Sequence, residues 1–159
     1  MEVQVIERAE MKTIAIKVGG DGHEVRRGWH LLQKKLEGRS WNNRNIGYVF
    51  VPEWQWASGV KELHVGVELD TDMVPRGAEK FVVPTKLYAT IKVHGDKKHM
   101  EDSYTFLNEW ITANGYEKDI SKGSYSVEAN PLKPINPFDI PADEIKEYDY
   151  VIYAPVKKL

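Results

Sequence analysis

The chain contains no cysteine, no apolar run near the ~18 residues of a membrane span, and no excess of either charge. Each absence excludes something. Without cysteine there are no disulfides and no thiolate metal sites. The opening stretch MEVQVIERAEMKT is charged throughout and is no secretory signal, so a cytoplasmic protein without a membrane partner is expected. Twenty-two Lys and Arg against 24 Asp and Glu leave a net charge of −2, and basic residues come only as pairs such as Arg26-Arg27 and Lys97-Lys98. A nucleic-acid-binding domain carries a basic face, so direct DNA or RNA contact is not expected. G-x-S-x-G, P-loop, dinucleotide and H-E-x-x-H signatures are all missing. The five histidines (23, 30, 64, 94 and 99) lack ligand spacing, so neither a metal nor a cofactor is expected.

What is present is a repeat. IKVGG at 16–20 returns as IKVHG at 91–95, an offset of 75. The same offset carries the alternating positions Lys12, Ile14, Ile16 and Val18 onto Leu87, Ala89, Ile91 and Val93. It also carries Val25, Trp29, Leu32 and Leu36 onto Met100, Tyr104, Leu107 and Ile111, both spaced as the apolar stripe of an amphipathic helix. Two strand-like runs follow in each copy, 47–51 and 62–69 in the first, 124–128 and 148–156 in the second. Gly38 and Asn114-Gly115 mark the helix ends, which places the helices at about 24–37 and 99–113. The prediction is an α+β fold: two strand–helix–strand–strand units, 1–70 and 78–159, forming one antiparallel-sheet domain over 1–159. A unit that small buries too little alone, so the two should fold as one body about a pseudo-twofold with a ligand pocket between them. The seam falls in the turn-rich stretch 70–79. Loops at 52–61, with Trp54 and Trp56, and at 129–147, with four prolines, are longer than hairpins need.

The copies also differ. Glu128 ends a strand, a position such a residue usually avoids, and its rough counterpart lies around the apolar Phe50–Val51. Trp110 stands where the first copy has Lys35. Tyr48, Phe50, Trp54, Trp56, Tyr125, Tyr150 and Tyr153 crowd the same strands and loops. Aromatic faces plus one carboxylate suit a flat, apolar cation, each ring attracting it by roughly 0.5–2 kcal/mol. A tyrosine-rich sheet with a solvated Glu128 fits the same composition.

The twofold-written unit, together with YTFLNEWITANGY (104–116), VEAN (127–130) and IYAPVKK (152–158), resembles the gyrase-inhibitory-protein-like small-molecule-binding domain. The same module forms the effector-binding half of AraC-type and MerR-type multidrug-sensing regulators. The resemblance implies a strand glutamate at Glu128, a helix tryptophan at Trp110, and a terminal Tyr-x-Pro-Val at Tyr153, Pro155 and Val156. Asn130 replaces the family's tyrosine after the glutamate, and Val151 stands where a second acidic residue is common. The chain starts directly at the binding module, so a stand-alone receptor is expected: it would bind aromatic, cationic small molecules through Glu128, Trp110, Tyr153, Tyr48, Phe50 and Trp56. Two alternatives stay open. One is a hydrolase of reactive electrophiles with Glu128 as general base and Tyr153 as acid or orienting donor. The other is an inhibitor of a protein partner such as gyrase, and a separate regulator is the other protein partner expected.

Overall fold

The computed structural model describes residues 1–41 and 45–159. The chain runs β1 (Val3–Arg8), β2 (Met11–Gly19), α1 (Gly22–Lys35), β3 (Ile46–Pro52), β4 (Glu62–Glu68), β5 (Glu79–Val83), β6 (Lys86–Gly95), α2 (Lys97–Ala113), β7 (Tyr116–Lys118), β8 (Tyr125–Pro131) and β9 (Tyr148–Lys158). Each half thus carries the expected strand, helix, strand, strand. Asp21 caps α1 by accepting from the Glu24 N–H at 2.8 Å, and Asp96, at the same offset of 75, caps α2 by accepting from the His99 N–H at 2.8 Å. Helix stripes land as their spacing predicts. Val25, Trp29, Leu32 and Leu36 are buried against β2, β3 and β4, and Leu107 and Ile111 against β6 and β9.

All strand pairs are antiparallel, in the order β1-β6-β9-β8-β3-β4-β2-β5, with β7 beside the end of β9. The order reads alike from the β8–β3 centre out to either edge. β1 and β5 were not expected as strands. Both lie at the edges, and each crosses to the other half: β1 pairs with β6, and β5 pairs with β2. The predicted seam is therefore not all loop, since Glu79 already opens β5.

This crossing bends the sheet. Only Ala9 and Glu10 join β1 to β2, yet six strand spacings, roughly 29 Å on a flat sheet, would separate them. The two outer ends must therefore fold toward each other, on the face away from the helices. There the two connections meet, the Glu10 N–H donating to Thr85 Oγ1 at 2.9 Å. Arg8 reaches across to Tyr48, donating to its hydroxyl at 3.1 Å. The enclosed face holds a core of its own, including Tyr48, Phe50, Tyr88 and Val127.

On the helix face, α1 sits close to the sheet at Gly28. A Cβ there would lie 2.2 Å from Val18 Cγ1 and 3.2 Å from Val65 Cγ2. Alanine ordinarily favours a helix over glycine by about 0.8–1 kcal/mol, whereas overpacking costs about 1–3 kcal/mol. Gly28→Ala is expected to lower the urea midpoint at unchanged m value. A raised midpoint would mean that α1 can lift off the sheet freely.

Candidate functional site

The cleft forms where the two halves join. β3 and β8 pair along their whole length, and the ladder sets Val49 opposite Glu128, one or two residues from the counterpart expected from sequence. Side chains alternate along a strand, so the ladder sorts them by face. Val49 and Val51 of β3, with Ser126, Glu128 and Asn130 of β8, point toward the helices. Tyr48, Phe50, Val127 and Ala129 point into the enclosed core.

Two hollows meet at Glu128 on the helix face. One, about 230 Å³, is walled by the start of α1 (Gly20 to Gly22, Val25, Arg26), Phe138, Ile145 and residues 147–150, with Val49, Val51, Glu128 and Asn130 as its floor. The other, about 340 Å³, is walled by Trp56, Val60, Leu63, Tyr104 and Ile152. Together they fall in the ~300–1,000 Å³ range of small-molecule sites. The wall of the first hollow depends on Arg26, which donates to the carbonyls of Gly22 at 3.0 Å, Ile140 at 2.5 Å and Pro137 at 3.4 Å. Trp29 stacks on Phe138 at 4.8 Å. These contacts fasten the proline-rich loop over α1.

Glu128 is held by tyrosines. The Tyr104 hydroxyl lies 3.2 Å from Glu128 Oε2 and 3.0 Å from the Tyr150 hydroxyl. Glu128 is half-buried where the hollows meet, and protein otherwise surrounds the carboxyl. Burial raises its pKa, and the Tyr104 hydrogen bond opposes that rise. Burial, and then the nearby Glu128 charge, push the Tyr104 and Tyr150 hydroxyls far up, so both stay protonated donors. A second carboxyl lies close by. Glu53 opens the 3₁₀ turn Glu53–Ser58 and is buried, one oxygen accepting from Ser126 Oγ. Burial raises its pKa as well.

The residues anticipated from sequence divide. Glu128 and Trp56 come together on one hollow, with the Trp56 side chain exposed at its rim. Tyr48, Phe50 and Tyr153 do not join them. Tyr48 and Phe50 alternate with the cleft-facing valines, and Tyr153 is paired with Val127 on the enclosed side. Tyr48 and Tyr153 there hold the Arg8 guanidinium, 5.4 Å and 4.9 Å from their ring centres. The base–acid pair of Glu128 with Tyr153 is therefore not assembled. Trp110 also lies elsewhere. Six residues beyond Tyr104, about 9 Å along the helix axis, it stacks on Tyr116 of β7 at 6.1 Å.

Tyr104, Asn130, Glu147 and Asp149 were not anticipated as site residues, and Tyr150 only as one of the crowded aromatics. Tyr104 had a legible signal, being the copy-two equivalent of Trp29: a hydroxyl replaces an apolar ring at a core position. Glu147 and Asp149 bring to the first hollow the acidity that Val151 lacks. Asp149 is shared with Lys92 at 3.8 Å and His94 at 3.5 Å. Among the described residues there is no cluster of three metal-ligating side chains, and no helix is long and apolar enough to cross a membrane.

The raised Glu128 pKa has a consequence for stability. A carboxyl whose folded pKa exceeds its unfolded one stabilises the fold while protonated, and that contribution is lost as pH rises through the folded value. Ligand-free protein should therefore lose stability as pH climbs out of the ordinary carboxylate range. Glu128→Gln cannot ionise and should flatten part of that slope. Glu53 acts in the same sense, so the difference between the two proteins isolates Glu128. Parallel melting curves across pH would mean that Glu128 titrates as it does in the unfolded chain.

The sequence matches the family model of the GyrI-like small molecule binding domain over residues 1–131. No curated protein matches the chain. Among solved structures, the crystallised EcmrR C-terminal domain is similar at a TM-score of 0.72 and 13% identity, covering 99% of this chain and 98% of that one. EcmrR in its DNA complex is similar at 0.70 and 14% identity; 99% of this chain is covered, spanning only 58% of that longer chain. SAV2435 bound to tetraphenylphosphonium is similar at 0.60 and 15% identity, with 99% and 94% covered. At such identities the likeness is one of fold. The family match takes in both helices and the β3–β8 ladder with Glu128, and the chain belongs to the GyrI-like small molecule binding domain family.

Proposed function

We propose that this domain binds an aromatic cation in the cleft between its halves, as a ligand sensor or a sequestering protein, with Glu128 as the counter-charge. One observation carries the reading: Glu128 lies on the cleft floor where two hollows meet, and none of the ion pairs among the described residues involves it. A buried carboxylate without a cation is costly to ionise, and an incoming cation removes that cost. Charge in the wall supports the reading. Asp21, Glu147 and Asp149 line the first hollow with Glu128, and Arg26 is the single basic residue there among the described residues. Apolar surface from Val49, Val51, Leu63, Phe138 and Ile152 would cover the rings, and Trp56 offers an aromatic face at the rim. The SAV2435 structure, a fold neighbour, holds an aromatic cation.

Two measurements test this. A cationic dye and a neutral dye of similar shape are titrated against the wild type and Glu128→Gln. Losing one member of a buried charge pair costs about 2–5 kcal/mol, so the cationic dye should lose about 30-fold to several-thousand-fold in affinity while the neutral dye changes little. Equal losses for both dyes would show that Glu128 shapes the cleft without reading charge. In the second, a non-fluorescent aromatic cation should quench tryptophan emission, and Trp56→Ala should remove most of the quenching and weaken binding. Unchanged affinity in Trp56→Ala would place Trp56 outside the site.

A further inference from the structure

The hydrogen bonds on the cleft floor all run in one sense. Tyr104 has one hydroxyl proton, and donating it to Glu128 Oε2 leaves the Tyr150 proton to bridge the 3.0 Å contact between the two hydroxyls. The Ser126 hydroxyl is spent on Glu53 Oε1. The Asn130 amide nitrogen donates to the Gly47 carbonyl at 3.4 Å and the Glu128 carbonyl at 3.3 Å, so its Oδ1 is left for the cavity it lines. At the rim, Arg26 is turned to three loop and helix carbonyls, and Asp21 takes the Glu24 N–H of the first turn of α1.

With these donors consumed, β8 offers a row of acceptors. Ser126 Oγ, the Glu128 carboxylate and Asn130 Oδ1 lie on one face at alternate positions, roughly 7 Å apart in sequence order. A quaternary onium ion could satisfy the charge of Glu128 and leave every one of those lone pairs without a donor. A protonated amine, amidine or guanidinium at Glu128 would satisfy that charge and still donate to one neighbour in the row, Ser126 Oγ on one side or Asn130 Oδ1 on the other. Building on the cation reading above, we infer that the cleft selects cations carrying N–H donors, aromatic or aryl-alkyl ammonium compounds, over permanently alkylated ones. Desolvation pulls the other way. An ammonium group is more strongly hydrated than its methylated counterpart, so a site reading only charge and apolar surface would favour the methylated ion. A preference for the amine therefore has to come from the acceptors.

The test uses the whole chain and one series at pH 7: naphthylmethylamine, its N,N-dimethyl form and its N,N,N-trimethylammonium form, with naphthylmethanol as the neutral comparison. Affinity is measured by calorimetry. The expected result is a fall along the series as N–H groups are lost, the primary amine binding about ten- to a hundredfold more tightly than the trimethyl ion. Asn130→Leu and Ser126→Ala should each narrow that ratio by weakening the primary amine more than the trimethyl ion, and a cooperative melting transition by circular dichroism checks that each variant is folded. Equal or rising affinity along the series would overturn the inference; if all three cations still bind more tightly than naphthylmethanol, the cation reading survives. A ratio unaltered in both variants would overturn the acceptor row and leave Glu128 as its single reader. Cations that bind no better than the alcohol would overturn the inference together with the reading on which it rests.

Discussion

The ladder between β3 and β8 is the constraint on which the rest depends. Its seven residue pairs join the two halves of the sheet, and each half carries one helix that covers only its own strands. Between those helices the central pair is covered only in part on one face, so a cleft follows from the topology. The same ladder decides what lines it. A slip of β8 by one residue would send Glu128 into the enclosed core beside Phe50 and turn Val127 out into the cleft. Crossing of β1 and β5 to opposite halves works against such slippage, since each edge strand ties one half to the chain of the other.

A carboxyl placed on that floor has to be tolerated by its surroundings before it can do anything. Tyr104 supplies the hydrogen bond and Tyr150 backs Tyr104 through its own hydroxyl, and burial keeps both as donors. Duplication made this possible at small cost to packing. Trp29 fills its half by stacking on Phe138, while its equivalent Tyr104 fills the other half and adds a hydroxyl. One half thus closes the cleft with a loop and the other supplies its polarity. Glu53 is a further buried carboxyl, held against Ser126 on the same strand, and it fastens the turn that carries Trp56.

The aromatic residues divide between two tasks. On the enclosed face, Tyr48 and Tyr153 surround the chain's own cation, Arg8, near the point where the two sheet ends meet. On the cleft face, the aromatic groups are fewer: Tyr104, Tyr148, Tyr150 and Phe138 within, and Trp56 at the rim. The surplus of rings in the composition therefore serves packing as much as the cleft. A ring count cannot separate these, because both faces of a bent sheet exclude water.

Local and periodic features were legible in the sequence. The offset of 75 set out both helices, their buried stripes and the leading strand of each half, because a 3.6-residue stripe and a two-residue alternation follow from backbone geometry alone. The oddness of Glu128 was legible for a similar reason: a charged residue in a strand otherwise built to be buried is conspicuous in any register. What tertiary structure decided was company. Whether Tyr153 or Tyr150 stands beside Glu128 depends on the register of β9 against β8, and whether Trp110 or Tyr104 does depends on how far along β8 the helix lies. β1 and β5 find their partners in the opposite half, more than 60 residues away along the chain, so nothing near them in sequence marks that pairing. The direction of each hydrogen bond on the cleft floor belongs to the tertiary structure as well. A residue's type states how many protons it can give, but only its neighbours determine which of them have already been taken.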